Sequence, residues 1–345
     1  MKRLTAAAFL ALLVSIPLWV SNLYVLHLLI TTGIFTIAAM SLNLLLGYTG
    51  QLSLGHVAFF GIGAYVSSLV SLGFAVHVAP DWLVTLDPQP VWLAMLWAIA
   101  ISGFCGWAIG RISFKVRGAY FVIVTISFAE VVRLVALNWD ELTQGPMALN
   151  NIPPLTFSIP GLFEFSFIGK VPNYYLVLVA AIIAYIVIAR LVYSRAGRAM
   201  IALRENEPLA TSVGIEVTRY LVLSAVVSAA IVGMAGALYA QYVQIVDPNI
   251  FLFIYTVTMV ILVVVGGKGT LAGPIVGGVI FGLLPEALRT LKVGPELQWI
   301  AYGVLMIVIV SILPSGIVPA ITHCWNDRSR TEVKTADGGA GHAAQ

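Results

Sequence analysis

Ionisable and hydrogen-bonding side chains are scarce in the apolar stretches of this chain, and those few are the groups that could do chemistry. Asn43, Gln51, Ser53 and His56 gather around a glycine-rich segment, GYTGQLSLGHVAFFGIGAY, running from Gly47 to Tyr65. Two roles are open to them: lining a pathway for a small polar solute, or satisfying backbone groups that Gly47 and Gly50 loosen. Glu130 and Arg133 lie three apart, the spacing of one helix face, and form either a structural ion pair or an ionisable site within the membrane. Glu286 and Arg289 repeat that spacing and read as structural. A third group is the mixed-charge stretch Arg195 to Arg219, which suits either a protein-docking surface or an ordinary solvated loop. No catalytic set stands together, and no GxxxxGK[ST] phosphate-binding loop occurs. The histidines show no metal-ligand spacing, and Cys105 and Cys324 form neither a CxxC pair nor a disulfide framework.

Membrane helices must hold these groups. The chain is 60% hydrophobic and 10% charged, with mean hydropathy +0.99. Soluble domains carry about 25% charged residues, so this chain cannot clothe itself in water. Nucleic-acid binding has no support, because no basic face interleaves with aromatics. A bilayer core needs about 20 apolar residues per helix. Ten runs qualify: Leu4–Val20, Leu23–Leu46, Val57–Phe74, Val91–Gly110, Ala119–Ala136, Tyr174–Val192, Tyr220–Gln241, Phe251–Val265, Leu271–Leu288 and Leu297–Leu313. The expected fold is an all-α, polytopic membrane helix bundle of about ten transmembrane helices. Met1-Lys2-Arg3 before an apolar run also resembles a secretory leader, but no convincing small-x-small cleavage site follows, and the segment is taken as the first span.

Basic residues orient the bundle. Lys2, Arg3, Arg111, Lys115, Arg117, Arg190, Arg195, Arg198, Arg204, Arg219, Lys268, Arg328, Arg330 and Lys334 fall on one side if there are ten crossings, fourteen of the 18 in the chain. That side is the cytoplasm, so both termini are expected inside. Residues 1–322 form the membrane domain, and 323–345 a polar tail expected to be disordered. The outer loop 138–173 is long enough to be functional or mobile.

Three local patterns sharpen this outline. Within Arg195–Arg219, Ala199 to Val213 has helix-compatible spacing; Pro208 should start a new helical turn or kink the old one, and Gly214 should end it. In the glycine-rich segment, Gly61 and Gly63 lie two apart, so at least one should meet a neighbouring helix. Phe59, Phe60 and Tyr65 suit packing or contact with an apolar solute. A second glycine-rich segment, GGKGTLAGPIVGGVIFG from Gly266 to Gly282, echoes the first: at an offset of 219, Gly47, Gly50, Leu52 and Gly63 fall on Gly266, Gly269, Leu271 and Gly282. Internal duplication and chance coincidence both explain it.

The ordered segments GYTGQLSLGHVAFFGIGAY, RGAYFVIVTISFAEVVRL, RAGRAMIALRENEPLATSVGI and VVVGGKGTLAGPIVGG resemble the LivM-type permease family, the membrane subunits of bacterial ABC importers for branched-chain amino acids. The likeness runs from about Ser41 to Pro314. It implies a multi-pass inner-membrane protein without an ATPase site or cofactor of its own. Implied partners are a homologous second permease subunit, two cytoplasmic ATPases that bind ATP and magnesium, and a periplasmic substrate-binding protein. Residues 195–219 would be the segment that couples to an ATPase, through Arg198, Arg204, Glu205, Glu207, Pro208 and Gly214. Pro208-Leu209-Ala210 with Gly214 holds the place of the EAA-x3-G pattern, its acidic residue, Glu207, one position early. Asn43, Gln51, Ser53, His56, Gly61 and Gly63 would form a translocation pathway or packing seam. Where the family commonly reads LTGGPNGL, this chain reads LTQGPMAL, Leu142 to Leu149. Urea, short amides and other small amino or carboxylic acids are therefore alternative cargoes, and an ion-coupled secondary transporter using Glu130 is an alternative mechanism.

Overall fold

The protein is represented by a computed structural model describing residues 11–17, 19, 22–79, 82–116, 118–159, 163–167, 169–290, 300, 303–304, 307–308, 311–313 and 315–322. At 78–79, 82–83, 157–159, 163–166 and 283–290 it describes the backbone alone. Among the described residues, ten helices carry the architecture: α1 Leu23–Leu46, α2 His56–Leu72, α3 Val91–Ser113, α4 Ala119–Asn138, α5 Lys170–Val192, α6 Arg195–Glu205, α7 Glu207–Ser212, α8 Val217–Val243, α9 Phe253–Gly266 and α10 Gly273–Thr290. Five of them, α1, α3, α4, α5 and α8, are long and apolar enough to cross a membrane. Shorter apolar helices are α2, α9 and the first part of α10, Gly273–Gly282. Eight of the ten expected spans thus coincide with helices to within a few residues. The first run is described only in part, helical at 11–17, and most of the run 297–313 lies outside the described residues, as does the tail 323–345.

The centre is built by α1, α2 and α8. Lipid tails are as apolar as leucine, so membrane helices associate through close packing of small residues, not through burial of apolar surface from water. Helix α8 supplies Ser224, Ala225, Ser228, Ala229, Gly233, Ala235, Gly236 and Ala237, all buried. A methyl group on Gly63 would strike the Gly233 carbonyl, and one on Gly236 would strike the Phe60 carbonyl. The two helices therefore touch backbone to backbone. Helix α3 seats Gly106 on Ala229 of α8, while α5, α9 and α10 pack on α1. The peripheral helices expose broad apolar faces, including Leu96, Trp97 and Phe104 on α3 and Ile123, Val131 and Leu134 on α4.

The fold is not purely helical. Strands β1 Phe74–Ala79 and β2 Trp82–Leu86 form an antiparallel hairpin, pairing Phe74 with Leu86 and Val76 with Val84. A two-residue ladder joins β3 Leu149–Asn150 to β6 Ile245–Val246, and β4 Thr156–Ile159 pairs with β5 Phe163–Ser166. Short apolar strands beside a span are hard to separate from it by hydrophobicity, which is why the all-α expectation missed them. The described residues of 138–173 hold strands β3, β4 and β5, the one-turn helix Asp140–Thr143 and the 3-10 turn Gly145–Met147. Leu149, Ile152 and Leu155 anchor it by burying their side chains.

Candidate functional site

Two short helices, α6 and α7, leave the bundle between α5 and α8, and their boundaries follow from local chemistry. Ser194 caps α6 by accepting from the Gly197 N–H at 3.3 Å. Asn206 ends α6 in extended conformation and caps α7, its side chain accepting from the Leu209 N–H at 3.0 Å. Pro208 sits in the first turn of α7, where a missing N–H costs nothing. Gly214, at φ +85°, turns the chain out after α7. Met200 and Leu203 are buried against the bundle, whereas Leu209 and Val213 are 62% and 71% exposed. Arg198 lies on the exposed face and donates to the Tyr193 carbonyl at 3.3 Å. The segment therefore presents a rigid, partly apolar, mixed-charge surface.

Arg204 turns the other way. Its Nη1 donates to the Gly47 carbonyl at 2.6 Å, and its Nε and Nη2 donate to the Glu205 carboxylate. Gly47 begins the turn that closes α1, its N–H on the Asn43 carbonyl at 2.8 Å. Asn43 is buried and reaches across to the turn between α9 and α10. Its Oδ1 accepts from the Gly269 N–H at 2.9 Å, and its Nδ2 donates to the Thr270 carbonyl at 2.8 Å. The guanidinium is lodged between the two glycine turns. A Cβ on Gly50 would lie 3.1 Å from Arg204 Cγ, and one on Gly269 would lie 2.8 Å from Arg204 Nη1. Gly50 and Gly269, the pair matched at the offset of 219, have φ of +73° and +74°. Each follows a helix, α1 or α9, and leads into another, α2 or α10.

His56 bonds a side chain and not the backbone that Gly47 and Gly50 loosen. It is fully buried at the start of α2, with Nε2 2.8 Å from Ser41 Oγ on α1. Ser228 of α8 donates to the Ser41 carbonyl at 2.5 Å and lies 3.5 Å from the same imidazole nitrogen. The histidine thus pins three helices and reaches neither Gly47 nor Gly50, and Asn43 stands outside this network. N–H groups at the start of α2 and just ahead of it are met by hydroxyls of neighbouring helices. Leu54 N–H donates to Thr125 Oγ1 on α4, and Val57 N–H to Thr256 Oγ1 on α9, both at 3.3 Å. Ser53 is buried beside them; Gln51 is half-buried, with its N–H on the Leu45 carbonyl at 3.1 Å. Gly61 and Gly63 do face different neighbours: the Phe251 ring and Gly233 of α8, respectively. Phe59, Phe60 and Tyr65 are buried in aromatic packing, Tyr65 stacked on Phe251 at 5.6 Å between centroids.

Glu130 and Arg133 form an intrahelical ion pair, with Arg133 Nη2 2.6 Å and Nε 3.1 Å from Glu130 Oε1. The side chains of Glu286 and Arg289 lie outside the described residues. At the end of the bundle away from Arg204, His77 of β1 meets Glu141. The His77 N–H donates to Oε1 at 3.1 Å, and Nδ1 lies 2.5 Å from the same oxygen. The hydrogen bond from the His77 side chain, then that from its backbone, holds the Glu141 carboxyl below its ordinary range. In LTQGPMAL, Gln144 and Ala148 have positive φ of 58° and 62°. Sequence reasoning missed Ser41, Ser228 and Thr270: the two serines sit in apolar runs where nothing local distinguishes them from packing, and Thr270, in the GGKGT turn, takes part through its backbone carbonyl, which residue type does not reveal.

Comparison with known proteins supplies the family. The chain matches the family described as branched-chain amino acid transport system, permease component, over residues 24–310. It is 31% identical over 340 residues to the high-affinity branched-chain amino acid transport system permease protein LivM of Salmonella typhimurium, covering 92% of this chain and 75% of that one. It is 27% identical over 298 residues to the LivH permease protein of the same organism, covering 82% and 91%. The probable branched-chain amino acid transport permease protein LivM of Methanocaldococcus jannaschii is 25% identical over 324 residues, covering 85% and 92%. No solved structure matches the chain. With the match extending over most of its length, the chain belongs to the family of branched-chain amino acid transport system permease components.

Proposed function

We propose that this chain is the membrane-spanning permease subunit of an ATP-driven importer that carries leucine, isoleucine and valine across a bacterial inner membrane. The observation that carries this is the family match across 24–310, which takes in both glycine turns and α6–α7. Ten crossings, with both termini and α6–α7 in the cytoplasm, fit the basic-residue distribution. A second, homologous permease subunit completes the channel, as likeness to both LivM-named and LivH-named proteins suggests. Two ATPase subunits bind ATP and magnesium and dock on α6–α7; a periplasmic binding protein delivers the cargo at the opposite face. Leu209 and Val213 are the apolar anchors of the docking surface, flanked by Arg198, Glu205, Glu207, Pro208 and Gly214. Asn43, Ser53, His56, Gly61 and Gly63 serve as a packing seam, a role their burial and their partners on neighbouring helices support. Glu130 is read as structural, a role its ion pair with Arg133 on the same helix supports.

Leu209→Asp with Val213→Asp tests the docking surface. The expected result is a permease that reaches the membrane, loses its ATPase on purification and ceases uptake. ATPase co-purification at the wild-type level would refute the docking role. Labelled leucine uptake should fail in a deletion strain and return with the intact gene. Loss of urea or amide uptake alone would overturn the cargo and leave the transporter class standing.

A further inference from the structure

We infer that Arg204 is the positioning residue that transmits movement of the α6–α7 segment to both glycine turns of the membrane core at once. The inference rests on α6–α7 being the ATPase-docking segment, and it concerns what lies behind that surface. A docking contact alone would leave Arg204 pointing outward. Instead, its Nη1 holds the Gly47 carbonyl at 2.6 Å, in a charge-assisted bond to a group that α1 leaves open at its end. The two turns are fastened to each other by Asn43, at 2.9 Å to Gly269 N–H and 2.8 Å to the Thr270 carbonyl. Gly50 and Gly269 share a left-handed conformation, and both lack the side chain that would collide with the arginine. The guanidinium thus bonds the α1–α2 turn and lies against the α9–α10 turn, which Asn43 fastens to the first, all from one short helix. A rotation of α6 must displace both turns together or break these bonds. Rigid elements joined by hydrogen bonds with two discrete arrangements are the physical means by which a distant event is conveyed.

The test is Arg204→Ala in the complete transporter with its ATPases and binding protein, reconstituted in liposomes. The readouts are ATPase co-purification, ATP hydrolysis and leucine uptake. The ATPases should remain bound and hydrolysis should continue, while leucine carried per ATP falls about tenfold, within the range of an ordinary coupling between two sites. Arg204→Lys should give a smaller loss, because an ammonium can reach one carbonyl but lacks the planar fork. Asn43→Ala combined with Arg204→Ala should lose no more than the worse single variant, since both hold the same pair of turns. Lys268→Ala, an exposed cation on the same turn, should leave the ratio unchanged. A wild-type leucine-to-ATP ratio in Arg204→Ala overturns the inference, as does full additivity with Asn43→Ala. Loss of the ATPase from Arg204→Ala makes Arg204 a docking contact, which overturns the transmitting role and leaves docking intact. Should Arg204→Ala fail to assemble, an unchanged ratio in Arg204→Lys overturns the inference.

Discussion

Replacing Gly63 by alanine should destabilise the protein, whereas the same change at Gly103 should stabilise it. The new methyl at Gly63 would lie 2.5 Å from the Gly233 Cα and 2.6 Å from its carbonyl carbon, with the carbonyl oxygen nearer still. Ordinary contact begins near 3.4 Å, so α2 and α8 must part by roughly 1 Å. A gap of ~0.5–1 Å forfeits a quarter to a half of the dispersion energy of each contact along the seam. The opposing atoms are backbone and cannot rotate away, and Gly236 repeats the arrangement against Phe60. Overpacking of this kind costs about 1–3 kcal/mol. Alanine returns about 0.5–1 kcal/mol of helix preference, leaving a net loss. At Gly103 the methyl would sit 3.5 Å from Ala230 Cβ and 3.7 Å from the Val226 carbonyl, which is ordinary contact, so the helix preference remains as a gain. Thermal midpoints of the two purified variants in one detergent, with uptake in liposomes, decide the matter. Equal shifts, or a higher midpoint for Gly63→Ala, would refute backbone contact as the reason for glycine at this seam.

Ala148 has φ +62° and ψ 152°, a region that is essentially glycine's, so Ala148→Gly should raise stability by about 1 kcal/mol or more, measured as denaturant or thermal midpoint; no gain would mean that the turn is unstrained. The Glu141–His77 link should depend on acidity. Because the folded carboxyl is held below its ordinary range, its stabilisation is present above the ordinary carboxylate pKa of about 4.3 and lost as pH falls through the lowered folded value. Amide exchange in residues 74–79 and 84–86 should rise across that acid window in the wild type, beyond the intrinsic rate, and lose this dependence in Glu141→Gln; an unchanged profile in the variant would assign the effect elsewhere.

Much of the helical layout was legible without coordinates. The run Leu23–Leu46 is α1 residue for residue, and seven other runs fall on helices, because an apolar stretch long enough to span a membrane is a local property. Pro208 in the first turn of α7 and Gly214 beyond its end were equally readable, since caps and turn residues act within three or four positions, whereas the stretch Ala199–Val213 gave no sign that its break would fall at Asn206. The hairpin β1–β2 was not, because its valines and leucines continue the apolar run of α2 without a change of period that six residues could reveal.

The sequence by itself determined that the chain is a membrane bundle, where most of its described helices lie, and which segment leaves the bundle with mixed charge. Only the tertiary structure decided what the polar groups do. Asn43 finds Gly269 and Thr270, 226 and 227 residues away, and Arg204 finds Gly47 across 157. Their partners are backbone amides and carbonyls, which every residue carries, so residue type gives no clue to the pairing. His56 finds Ser41 and Ser228 for a related reason: serines in an apolar helix are silent until packing sets one hydroxyl beside one imidazole. Gly50 and Gly269 looked alike in the sequence, but it took the fold to bring both turns against the same arginine.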